Sequence, residues 1–212
     1  SYGTSEENYR LNISVDRLDH GGYGSNDSLG NKDKGKQTNS NLSFGYTLAN
    51  GTDIQFDRLN NKINNKYARA VSLAQFNIDP GNNSPTSARN HKDAESTTTG
   101  IKITAPINDN LELTFDTSKT KKINQIRYGS ANGYGAWSKK DYDYSNNDFV
   151  VSYKNGDLTL DSGIKSFKAL RKDTTTSLTK DNMGVFSQLQ LTRNNSIFNI
   201  GVRRETVDHK YE

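Results

Sequence analysis

The chain has 212 residues, no cysteine, and 28 basic against 24 acidic side chains, for a net charge of +4. A disulfide framework and thiolate metal sites are therefore excluded, and the scattered cations form no stripe of the kind that binds nucleic acid. Only 31% of the residues are hydrophobic and the mean hydropathy is −0.92, low for a soluble β domain, while no run approaches the roughly 18 apolar residues of a transmembrane helix.

After a polar lead over residues 1–8, Leu11, Ile13 and Val15 alternate with Asn12, Ser14 and Asp16. A period of two marks a strand with one apolar and one polar face. Residues 20–36 are rich in Gly, Asn and Lys and predict a long exposed loop. Leu42, Phe44, Tyr46 and Leu48 then alternate up to Asn50-Gly51, and Ile54 and Phe56 continue beyond it. Asn-Gly between alternating runs predicts a tight hairpin of type I′. Across residues 60–95 the alternation dissolves into a long loop, with 67–76 predicted as a short helix or a folded-over segment. Ile101, Ile103, Ala105 and Ile107 form the next strand, residues 108–110 a turn, and Leu111, Leu113 and Phe115 the strand after it.

A polar region over 120–144 reads as a third long loop. Phe149, Val151 and Tyr153 lead into Asn155-Gly156, and Leu158, Leu160 and Ile164 lead out. Residues 169–180 are expected to be a fourth loop. The final hairpin, 181–211, sets Val185, Leu189 and Leu191 against Phe198, Ile200 and Val202 around a turn at 193–196.

Short turns alternate with long connections along the whole chain. In an up-and-down meander successive connections fall at opposite ends, so the short turns gather at one end and the long loops at the other. That asymmetry, with strands apolar on one face, predicts an all-β fold. It is an antiparallel up-and-down meander of about nine strands, part of a larger transmembrane outer-membrane β-barrel with short periplasmic turns and long extracellular loops. Asp16, Asp53, Asp57, Glu112, Asp116 and Asp161 occupy the polar parity, which faces the wet lumen. Tyr9, Tyr46 and Tyr153 lie near strand ends, where an interfacial aromatic girdle belongs. Bacterial single-chain barrels close with an even number of strands, so residues 1–212 are expected to be a fragment whose remaining strands are absent.

Three segments carry a family resemblance. Gly184-Val185-Phe186-Ser187-Gln188 and Gly201-Val202-Arg203-Arg204-Glu205 resemble recurring strand motifs of TonB-dependent outer-membrane receptors. The stretch from Asp16 to Tyr23, with Gly22-Tyr23 entering a loop, resembles their first strands. The resemblance implies a barrel of about 22 strands around a plug domain that has no counterpart here. It also implies a transporter rather than an enzyme, with a ferric siderophore or another iron complex as ligand, TonB reached through the plug, and the outer-membrane lipid bilayer as surroundings. No resident cofactor is implied. An anionic ferric complex calls for arginines and aromatic walls in the loops, which singles out Arg69, Arg89, Arg127, Tyr128, Tyr134 and Trp137. His20, His91 and His209 are lone histidines without a haem-site pattern. A passive porin is the alternative. A secreted β-rich adhesin or solenoid is less well matched, because the short turns are about 59, 46 and 39 residues apart and show no constant period.

Overall fold

Pairing turns the alternation along each strand into a continuous face. In the computed structural model, residues 1–22, 26–67, 73–78, 88–130, 132–194 and 196–212 are described. The elements are β1 (Tyr2–Ser5), β2 (Tyr9–His20), β3 (Lys34–Thr47), β4 (Asp53–Tyr67), α1 (Leu73–Ile78), β5 (Asn90–Asn108), β6 (Leu111–Arg127), β7 (Gly129–Ser130), β8 (Gly133–Tyr134), β9 (Ser138–Asn155), β10 (Leu158–Lys172), β11 (Ser177–Arg193) and β12 (Ser196–Tyr211). Ten of the strands form one antiparallel sheet in chain order, with β7 and β8 as a small separate hairpin between β6 and β9. The two motif segments are register partners within it, Gly184 opposite Glu205 and Gln188 opposite Gly201.

Among the described strands all substantial contacts join hydrogen-bonded neighbours, so the sheet is one layer thick. Among the described residues Ala88 is the only fully buried hydrophobic side chain, and even in mid-sheet Phe115 and Phe149 are 40% and 43% exposed. The apolar residues instead share one face across β2 to β12, in rows such as Leu11, Phe44, Phe56 and Ile101. All six acidic residues singled out above share the opposite face with the ion pairs Arg10–Asp53 (2.7 Å) and Lys165–Asp148 (3.3 Å). Tyr9, Tyr46 and Tyr153 lie on the apolar face toward the short turns.

The register also fixes the slant of the strands. One hydrogen-bonded row runs through Tyr9, Tyr46, Ile54, Ile103, Phe115, Phe149, Ile164, Val185 and Arg204. Its distance from the nearest short turn grows steadily, from about 2 residues on β2 to about 10 on β12, an offset of about one residue per strand. With a rise near 3.4 Å and a strand spacing near 4.8 Å, that offset slants the strands by about 35°. Measured from its own turn, each strand's apolar stretch covers about 8 residues, a belt roughly 22 Å tall parallel to the line of short turns. Membrane barrels have this slant and an outward apolar band of about 25 Å.

Four expectations change in detail. Residues 2–5, read as a polar lead, pair with β2 (Tyr2 opposite Ile13) and add a tenth strand to the expected nine. Tyr-Gly-Thr-Ser has no apolar alternation to betray it. The fourth long loop is absent: β10 runs to Lys172, β11 begins at Ser177, and Asp173 N–H donates to Thr176 O at 2.8 Å across a short link. The other loops are also shorter than expected, because β4, β5, β6 and β9 extend well beyond the apolar belt. There both faces meet water, so the backbone ladder continues without the alternation that marks it. Finally, Gly51 and Gly156 have positive φ but Asn50 and Asn155 do not. The first hairpin therefore turns through three residues with Gly51 left-handed, and the third has Gly156 at the first central position, as type II′ requires. Helix α1 overlaps the segment read as a short helix or a folded-over stretch.

Candidate functional site at the long-loop end

Asp27 anchors the first loop. Its carboxylate accepts the backbone N–H groups of Leu29 (2.9 Å), Asn31 (2.7 Å) and, from a distant part of the chain, Arg89 (2.8 Å). The Arg89 side chain, 1% exposed, donates Nε–H to Asn31 O at 3.1 Å and pairs its guanidinium with Asp33. Lys66 Nζ reaches Asn31 Oδ1 at 2.9 Å, and Ala88 N–H donates to Ser130 O at 2.9 Å. Segments 26–33, 88–90 and the β7–β8 hairpin are thus clasped together. Gly129 is required at the join, because a Cβ there would sit 1.8 Å from Ala88 O.

Burial by itself would raise the Asp27 pKa, but the N–H groups of Arg89, Asn31 and Leu29 outweigh it and hold the carboxyl below its ordinary value. A depressed folded pKa adds stability that is present above the unfolded value, about 3.9, and lost as the pH falls through the folded one. Protease cleavage in the 21–33 loop is therefore expected to stay constant from neutral pH down to about 4 and to rise below it. An Asp27→Asn variant should show the raised cleavage at neutral pH.

Two aromatic clusters lie above the belt, on opposite faces of the sheet. On the apolar parity, Arg127 lies over both Tyr134 and Trp137, with Cζ 4.0 and 4.7 Å from the ring centroids. Trp137 in turn contacts His91 at 5.0 Å. The two ring nitrogens of His91 are taken by Arg127 (3.2 Å) and Asn64 (3.1 Å). Among the described residues Arg127 Nε and Tyr134 Oη are buried without a hydrogen-bond partner, and burial raises the Tyr134 pKa, with Asp27 adding to the shift. On the polar parity, Tyr142 stacks on Tyr144 at 6.1 Å and Tyr144 on Phe167 at 6.3 Å. Lys122 lies 5.7 Å from the Tyr142 ring centroid, and Arg171 is the register partner of Tyr142. This strip faces the side on which the charged residues of the belt region lie, the lumen side of a barrel.

Neither a family model nor a curated protein matches the sequence. Solved structures do. The ferric-catecholate import receptor Fiu of E. coli K12 superposes in its open form with a TM-score of 0.72 at 12% identity over 98% of this chain, and in its closed form with 0.75 at 11% over 98%. FpvAI, in its complex with pyocin S2, superposes with a TM-score of 0.52 at 10% identity over 94%.

The fold is that of a receptor barrel wall.

These are the TonB-dependent receptors that the strand motifs resemble. The chain spans 42% and 38% of the two Fiu structures and 40% of FpvAI, so the wall segment accounts for about two fifths of such a receptor.

Of the loop residues singled out in the sequence, the fold brings Arg127, Tyr134 and Trp137 into one cluster. Tyr128, 61% exposed, stands at the join to β7. Arg89 is enclosed in the clasp, where its contacts tie loops together. Arg69 and Tyr23 lie outside the described residues. The lumen-side strip was missed because 120–144 read as loop. The signal was the i, i+2 spacing of Tyr142 and Tyr144, which places both rings on one face of a strand.

Proposed function

We propose that the chain forms part of the wall of an outer-membrane receptor of a Gram-negative bacterium. The receptor imports an iron complex, most simply a ferric siderophore, by TonB-coupled transport through a plug outside these residues. The observation that carries this reading is the fit of 98% of the chain to the wall of a ferric-catecholate import receptor, together with the apolar belt that such a wall needs. On this reading the protein is a transporter and not an enzyme. A ferric catecholate is anionic and presents flat aromatic rings around an octahedral iron. Tyr142, Tyr144 and Phe167 supply faces to stack on, and Lys122 and Arg171 supply charge at the lumen mouth. Arg127 Nε and Tyr134 Oη, without a hydrogen-bond partner among the described residues, offer polar atoms, and with Tyr128 and Trp137 they make up the outer loop contacts; Arg69 is a candidate on its sequence alone.

The test is a tryptophan fluorescence titration of the full-length protein in detergent with a panel of ferric siderophores and haem. One ferric complex is expected to quench saturably, and the paired change Tyr142→Ala and Tyr144→Ala to weaken its binding about tenfold or more. Loss of the signal in Trp137→Phe would place the complex beside the third loop. No response to any member of the panel, in a preparation that conducts ions steadily across planar bilayers, would contradict the receptor reading in favour of a passive porin.

A further inference from the structure

His91 stands inside a row of cations. Beyond the belt, on the apolar parity, the register runs Lys34, Lys66, His91 and Arg127 across β3 to β6. The imidazole, with its side chain 11% exposed, therefore has a positive neighbour on each strand beside it. Among the described residues Asp93 is the acid that faces it, with Oδ1 3.4 Å from Nε2, and that carboxylate also accepts from Asn64. The other titratable member of the cluster, Tyr134, meets Arg127 through its ring.

The donors around the ring decide its state. Nδ1 lies 3.2 Å from Arg127 Nη2, and a guanidinium has no acceptor to offer. Nδ1 must therefore present a lone pair, which leaves the proton of a neutral ring on Nε2, on the side of Asp93. A second proton would turn Nδ1 into an N–H aimed at a cation. Arg127 has no ion-pair partner among the described residues, so no carboxylate would hold the guanidinium over the rings once His91 turned against it. The imidazolium would also compete with Arg127 for Trp137, whose ring is 5.0 Å from that of His91.

We infer that His91 is the positioning residue of this cluster, holding Arg127 across Tyr134 and Trp137 while it is neutral and releasing it when it is protonated. Burial, helped by Arg127 and Lys66 against the pull of Asp93, lowers the His91 pKa. The docked cluster accordingly has stability that is fully present above the ordinary histidine value of about 6.5 and is lost as the pH falls below it toward the folded value. Because Arg127, Tyr134 and Trp137 are the outer loop contacts proposed above, acid should weaken binding there. That regulation rests on the receptor reading; the latch itself does not.

The experiment uses the full-length protein in detergent, labelled with fluorotryptophan, with the Trp137 fluorine resonance assigned by its loss in Trp137→Phe. From about pH 8 to about pH 5 the resonance should shift with a midpoint below about 6.5. His91→Gln should abolish the shift and keep the high-pH position, because an amide oxygen accepts from Arg127 but takes no proton. Arg127→Gln should move the midpoint upward, one flanking cation having been removed. A Trp137 resonance that stays fixed, or that titrates in His91→Gln as in wild type, would overturn the latch. Should His91→Gln fail the heat-modifiable migration test of folding, an unmoved midpoint in Arg127→Gln would overturn it instead. The panel of ferric siderophores, titrated at about pH 7.5 and about pH 5.5, should show binding weakened about fivefold or more in wild type and held in His91→Gln. Equal weakening in both would overturn the regulation. Silence of the whole panel at both pH values would overturn the receptor reading, with the fluorine titration still deciding the latch.

Discussion

Replacing Phe115 by arginine is expected to destabilise the folded wall in lipid by about 2–4 kcal/mol, the cost of a guanidinium on the lipid face near the bilayer midplane. Phe115 sits mid-belt, between Ile103 and Phe149 in the register, too far from either rim for a side chain to reach water. Arginine at the adjacent Thr114 should cost much less, because that position lies on the polar face between Thr104 and Val150. Urea unfolding of the full-length protein in vesicles, followed by heat-modifiable migration, measures both. Equal costs at the two positions would mean that the faces are not in different solvents.

Arg89→Ala is expected to unlock the loops and leave the wall standing. The change removes a buried guanidinium from Asp33 and Asn31, and a broken buried pair costs about 3–5 kcal/mol. Because Asp33 is partly exposed, its unpaired charge can be rehydrated, so about 2–3 kcal/mol is the better expectation. Hydrogen exchange should accelerate at Leu29 and Asn31, whose N–H groups depend on Asp27 remaining in place, and stay unchanged in the middle of β6 and β9. Arg89→Lys should recover only part of the protection, since an ammonium cannot reproduce the planar fork that reaches Asn31 O and Asp33 together.

The sheet was legible in the sequence over the belt, where one face is apolar and the other polar. Within the belt, Leu111, Leu113 and Phe115 must be apolar while Glu112, Thr114 and Asp116 need not be, so the period of two is written into the residues. Beyond the belt that pressure stops. The upper halves of β5 and β6, such as Asp93 opposite Gln125, are held by the backbone ladder alone, and their residues read as loop. The same blindness hid the stack of Tyr142, Tyr144 and Phe167, and it hid β1, which owes its place to pairing with β2. The loop clasp was legible only as residue types. Arg89 was visible as an arginine in a loop, but its enclosure depends on Asp27 and Asp33, brought to it across the sheet from about 60 positions away.

Alternating solvent access along one strand tests the central claim most directly. The 212 residues contain no cysteine, so single cysteines can be read without interference from this segment. Leu113→Cys, Thr114→Cys, Phe115→Cys and Asp116→Cys variants of the full-length protein in membranes would be treated with a water-soluble maleimide and with a membrane-soluble one. The water-soluble reagent should label positions 114 and 116 through the lumen and spare 113 and 115, which the membrane-soluble reagent should reach. Uniform labelling of all four by the water-soluble reagent would contradict a lipid-facing belt, and with it the reading of this sheet as a receptor wall.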